Sequence, residues 1–205
     1  MAEEVKNKVY YGLQNIHVAF SKGTDEPSWE KPVYVPGAVE LTLDGEGDQD
    51  IKYAANMAYV TVNANAGYTG ELTMAAFPDE VVAKMLGWKI DRNGMLVEIA
   101  DAVPTPFALI YEILGDRKPR RCVTYNLTAN RPKDEFKTKE DKTEFTDSVM
   151  PVTATPIRYQ GENIVKGALE LSMTNGEAFD GFFEKITLPD FSVPGAEGDG
   201  QEAAR

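Results

Sequence analysis

The chain has 205 residues, 42% of them apolar, and a net charge of -12 from 33 acidic and 21 basic residues. That is enough apolar material for one sizeable core. It is too little positive charge for a protein built to clamp nucleic acid, which needs Lys and Arg to displace counterions from phosphates. A single cysteine, Cys122, and a single histidine, His17, exclude an internal disulfide and a His/Cys zinc site within one chain. The N-terminal MAEEVKNKVYYG is charged and does not read as a signal peptide. The most apolar run, PTPFALIYEIL, is too short and interrupted to span a bilayer.

KVYYGLQNIHVAF (8–20), rich in aromatic and β-branched residues, predicts a first strand, and SKGTDEPSWEKP (21–32) a loop. VYVPGAVELTL (33–43) reads as strand with a turn or bulge at Pro36-Gly37; Val39, Leu41 and Leu43 alternate with Glu40 and Thr42 as on a half-buried strand. LDGEGDQDIKYAANMAY (43–59) opens with carboxylates on alternate residues and then turns apolar and aromatic. YVTVNANAGYTGELTM (59–74) is strand again. Val60, Val62, Ala64 and Ala66 point one way, Thr61, Asn63 and Asn65 the other, and a kink is expected at Ala66-Gly67. FPDEVVAKMLGW (77–88) predicts a short helix: Pro78 in its first turn, Asp79 and Glu80 at its positive end, Val82, Met85 and Leu86 on one face, and Gly87 as its stop. Asn93-Gly94 marks a hairpin turn. Residues 106–132 read as strand, charged turn and return strand, with Val123, Tyr125 and Leu127 alternating with Thr124, Asn126 and Thr128. KDEFKTKEDKTEFTD (133–147) reads as a solvated loop, VMPVTATPIRY and NIVKGALEL as late strands, and NGEAFDGFFEKITL as holding a short helical turn. The expectation is a mainly β (α+β) single domain over 1–190, sandwich- or barrel-like, with one short helix packed outside the sheet. Residues 191–205 read as a disordered acidic tail.

None of the chemical motifs is complete. Asp44-x-Glu46-x-Asp48-x-Asp50 resembles an EF-hand opening, but position six is Gln49, position twelve is Ala55 and the flanks read as strands. His17 sits in a strand with no activated nucleophile in view, and there is no GxSxG, GxGxxG or P-loop. Trp29 and Trp88 read as packing residues rather than sugar platforms. Arg117, Lys118, Arg120 and Arg121 cluster where a hairpin turn belongs; they read as a solvated turn or as partners for an acidic surface of a neighbouring subunit. The chain is not expected to be an enzyme or to need a cofactor or metal.

Several local stretches, in order, resemble the major tail protein (tail tube protein) of long-tailed siphophages and prophages of Gram-positive bacteria. They are KVYYGLQNIHVA (8–19), PGAVELTL (36–43), EGDQDIKYAANMAY (46–59), NANAGYTGELTMAAFPDE (63–80), NGMLVEIADAVPTPFALIYEILGD (93–116) and TYNLTANRP (124–132). The resemblance weakens through 133–147, returns at VTATPI (152–157) and does not reach 190–205. It implies a virion structural protein, made in the host cytoplasm, that forms homohexameric rings stacked into a hollow tube. Such a tube surrounds a tape-measure protein, meets terminator and distal tail proteins at its ends, and later passes DNA as cargo, with no membrane involved. In such proteins the long connection between early strands is mobile in the free subunit and orders on a neighbouring ring.

That places a candidate ring-stacking loop at Asp44, Glu46, Asp48, Asp50, Tyr53, Met57 and Tyr59. Candidate lumen-facing or inter-subunit strand residues are Thr61, Asn63, Asn65, Thr124, Asn126 and Thr128. Candidate inter-subunit salt-bridge residues are Arg117, Lys118, Arg120 and Arg121. Two rival readings are a monomeric β-sandwich module that binds a sugar or receptor, and a metal-dependent enzyme built on the acidic stretch.

Overall fold

A computed structural model describes residues 6–54, 56–133, 138, 145–172 and 174–191; at 49, 50, 54, 58, 62 and 63 it describes the backbone alone. The first strands are β1 (Tyr10–Phe20), β2 (Val33–Tyr34), β3 (Ala38–Glu46), β4 (Gln49–Ala54), β5 (Met57–Asn63) and β6 (Gly67–Met74). The helix α1 (Asp79–Leu86) follows, then β7 (Lys89–Ile90), β8 (Leu96–Val97), β9 (Phe107–Gly115) and β10 (Arg120–Ala129). After these come β11 (Ser148–Ala154), β12 (Ile157–Tyr159), β13 (Glu162–Ile164) and β14 (Lys166–Glu170). A second helix, α2 (Gly176–Asp180), continues into a 3-10 turn, Gly181–Phe183. The fold is mainly β. It carries two short helices, α1 where the helix was expected and α2 at the NGEAFDGFF stretch, where a short helical turn was expected.

The principal sheet is antiparallel, in the order β2-β1-β9-β10-β11-β6-β3. It curls so that β3, at one end of that order, approaches β1 near the other. β10 is forked. Its first half, Arg120 to Thr124, pairs with β14, and its second half, Leu127 to Ala129, pairs with β11. The inner face of the curl holds the main core, in which Ile16, Val18, Leu72, Met74, Met85 and Leu109 are fully buried. Each such side chain contributes roughly 1.5–3 kcal/mol on burial. The outer face carries a second cluster of Ile110, Val123, Tyr125 and Phe182, backed by Trp29, Phe183 and Leu188. Having core on both sides explains the apolar run Phe107–Tyr111 that opens β9, since a strand covered on both faces has no polar face to show.

Helix α1 begins after Pro78 and stops at Gly87, whose φ of 70° is left-handed; a Cβ there would meet the Val103 carbonyl oxygen at 2.5 Å. Val81 and Ala83 are buried with Met85 and Leu86, while Val82 sits half-exposed at the margin. Gly67 supplies the expected kink between β5 and β6: its φ is 122°, and a Cβ there would lie 2.0 Å from the Ala154 carbonyl oxygen.

Two face assignments are overturned by single-residue bulges. Val39 is the extra residue between Ala38 and Glu40 opposite β6 and is 47% exposed, so Ala38, Leu41 and Leu43 make the inner row instead. A bulge also falls at Tyr59, the extra residue of β5 between Val60 and Ala58, and it leaves Val60 and Thr61 on opposite faces as expected. β10 carries one extra residue between Thr124 and Leu127, which reverses its faces. Val123 and Tyr125 therefore face the outer cluster and Leu127 the main core, rather than forming one row.

Candidate assembly surfaces

The candidate stacking loop is a β-hairpin rather than an irregular connection. β3 and β6 pair from Ala38–Met74 to Glu46–Gly67; the Ala66 amide then donates to the Glu46 carbonyl and the Ala64 amide to the Asp48 carbonyl, both at 2.9 Å. β4 and β5 carry the ladder on to Ala54–Met57. From Glu46 to its tip the ribbon reaches about 25 Å at ~3.3 Å per residue. Asp44, Glu46 and Asp48 are exposed at its base, and Glu46 accepts from the Thr69 hydroxyl at 2.7 Å. Tyr53, Met57 and Tyr59 are 66%, 72% and 73% exposed. The register places Ile51, Tyr53 and Thr61 on one face and Lys52, Met57 and Val60 on the other, so apolar side chains stand on both faces. The side chain of Asp50 lies outside the described residues.

The basic cluster is a corner that folds back on the chain. Asn7 clamps the β9–β10 turn: its side-chain oxygen accepts from the Arg117 and Lys118 amides at 3.1 and 3.0 Å, and its amide donates to the Lys118 carbonyl at 2.9 Å. The Asp116 carboxylate accepts from the Lys8 amide at 2.8 Å. This hydrogen bond, with those from neighbouring groups, holds its pKa below the usual carboxylate range. Glu170 accepts from the Tyr10 hydroxyl and lies 3.5 Å from Lys118 and 3.8 Å from Arg120; its pKa is lowered, chiefly by the tyrosine bond. Arg121 points inward. Its Nε lies 3.0 Å from Glu112 and its Nη1 donates to the Phe179 carbonyl, while the guanidinium packs over the rings of Phe179 and Phe183. Arg121 is thus a half-buried internal anchor for α2, and its assignment to an inter-subunit salt bridge is corrected. Lys118 and Arg120 also make intrachain pairs. Arg117, 3.7 Å from Asp116 and 45% exposed, reaches farthest into solvent.

The polar strand rows separate. Thr61 is exposed, Asn65 is exposed with its side-chain oxygen accepting from the Gly67 amide at 3.0 Å, and the Asn63 side chain lies outside the described residues. Thr124 is wholly buried beside Tyr111, so it faces no lumen; it pairs in regular register with Leu109, on the side of the main core. Asn126, within the bulge, and Thr128, past it, are half-buried, and Asn126 donates to the Thr155 hydroxyl at 2.8 Å.

Sequence reasoning missed Glu112. It is 5% exposed and accepts from Gln14 and Asn15 at 2.6 and 3.2 Å as well as from Arg121. Asn7 was missed too, and no local pattern marks either residue. His17 stacks between Tyr34 and Phe183 with Nδ1 2.8 Å from the Asn15 carbonyl oxygen, a place within the sheet. Cys122 is buried, and desolvation pushes its thiol pKa up. Trp29 packs near Tyr125 and Trp88 against the main core. Among the described residues no three His, Cys, Asp or Glu side chains converge as metal ligands, and no helix is long and apolar enough to cross a membrane. No family profile matches this chain, and no curated protein matches it.

Proposed function

We propose that this chain is a self-assembling structural subunit, a tail-tube protein. Copies form six-membered rings that stack into a hollow virion tube around a tape-measure protein, and the tube later conducts DNA. The observation that supports this reading is the β4–β5 hairpin. A two-stranded ribbon is marginal by itself in water, and this one holds Tyr53, Met57 and Tyr59 largely exposed. Large aromatic and Met side chains at the end of a projecting arm are what a partner surface buries. The open ends of the sheet support the reading as well, because edges left unpaired in one subunit are satisfied when neighbours close around them. The net charge of -12 keeps phosphates from sticking to such a conduit.

The test is replacement of residues 49–63 by Asn-Gly, joining Asp48 to Ala64 where their backbones already pair. Negative-stain microscopy and light scattering across a concentration series should show rings or tubes for the parent chain. The shortened chain should remain a folded monomer at every concentration. Tubes of normal length from the shortened chain would overturn the role of the hairpin. A parent chain that stays monomeric with and without an initiating tail component would favour a β-sandwich binding module.

A further inference from the structure

The hairpin and the basic corner lie at the same end of the sheet. β6 meets β11 at Tyr68, opposite Ala154, and the ribbon of β4 and β5 continues from there past the end of β11. β10 meets β11 at Leu127, also opposite Ala154, and runs on in the same direction to Arg120 and the β9–β10 turn. The two features flank the sheet from opposite ends of its strand order, the hairpin beyond β3 and the corner on β1, β9 and β10.

Their chemistry is complementary. The base of the hairpin exposes Asp44, Glu46 and Asp48 below its aromatic tip. The corner brings Arg117, Lys118 and Arg120 to two carboxylates, Asp116 and Glu170, and Lys8 joins it through its backbone amide, which donates to Asp116. It is a positive region on a chain of net charge -12. Apolar surface accompanies it: Val9 and Tyr11 are each 57% exposed. Along Tyr10 to Gln14, β1 is paired with β9 on one side, while among the described residues its other strand partner, β2, meets it at His17 and Val18. An open strand edge therefore runs beside the positive charges.

We infer that the acidic hairpin of one copy docks on the basic, aromatic corner of a second copy standing beside it. The contact is heterologous, and because both surfaces lie at one end of the subunit it joins neighbours side by side and closes a ring. Opposite charges set the partner and register, and Tyr53 or Met57 against Val9 and Tyr11 supply the apolar contact. The inference rests on the proposed tube function and specifies its lateral joint.

Two variants test it: Lys8→Glu/Arg117→Glu at the corner and Asp44→Lys/Asp48→Lys at the hairpin base. Circular dichroism and melting first verify that each is folded. Each variant alone sets like charge against like at every joint, and ring formation at low salt should need a concentration higher by about tenfold or more. An equal mixture should restore rings at the parent concentration, because alternation around an even-membered ring makes every joint complementary. Three outcomes would overturn the inference while leaving the tube function standing. They are rings from either variant at the parent concentration, a mixture that fails to restore them, or intact single rings that have lost only their stacking. Failure of the parent chain to form rings under any condition would instead remove the tube function, and this joint with it.

Discussion

Glu112 and Arg121 form a buried pair that ties the sheet to α2, with side chains 6% and 17% exposed. Removing one partner strands the other's charge. Arg121→Met should therefore cost about 3 kcal/mol of unfolding free energy in urea titrations, and Glu112→Met/Arg121→Met should cost less than that single change. A double variant less stable than Arg121→Met would refute this account. The N-terminal clamp has a definite pH dependence. Asp116 and Glu170 both have folded pKa values below their ordinary 3.8 and 4.5. Their contribution is therefore complete above the unfolded values and disappears as pH falls through the lower folded ones. The hydrogen-exchange protection of the Lys8 amide should stay level from about pH 7 to pH 5 and fall below about pH 4. Asp116→Asn should abolish most of that acid step.

At the scale of elements, local signals told the truth about local structure. Pro78 and Gly87 bracket α1, Asn93-Gly94 turns β7 toward β8, and the charged turn between β9 and β10 stands where it was expected. Gly87→Ala would strain the left-handed cap and press a methyl on the Val103 carbonyl; a loss of about 1–3 kcal/mol, read from thermal unfolding, is expected. What could not be read were the places where one extra residue changes everything after it. Nothing in VTYNLT announces the β10 bulge that turns Leu127 to the main core, because a bulge is imposed by the partner strand's register and not by the residues inside it. The hairpin was hidden for a related reason. DGEGDQD is poor strand sequence, and it holds extended structure here because it continues a ladder already established between β3 and β6. Asn7 and Glu112 act across 111 and 98 residues of sequence, a separation that leaves no local trace.

At the scale of the whole molecule, the proposed assembly divides its work between charge and apolar surface. If the lateral joint is electrostatic in its selection, the concentration needed for rings should rise as sodium chloride increases from about 50 to 500 mM, because screening shortens the reach of Asp44 and Asp48. The same series should not change the melting temperature by much, since the core is apolar and the ion pairs at the corner are few and partly exposed. The forked β10 has its own mechanical consequence, one that would matter in the proposed tube wall. One strand is bonded to β9 along its length, to β14 by one half and to β11 by the other. Tension applied along it must shear three ladders together rather than peel one open. β10 is therefore the tie-bar of the subunit, the member through which a pull at one end of the sheet is transmitted to the other.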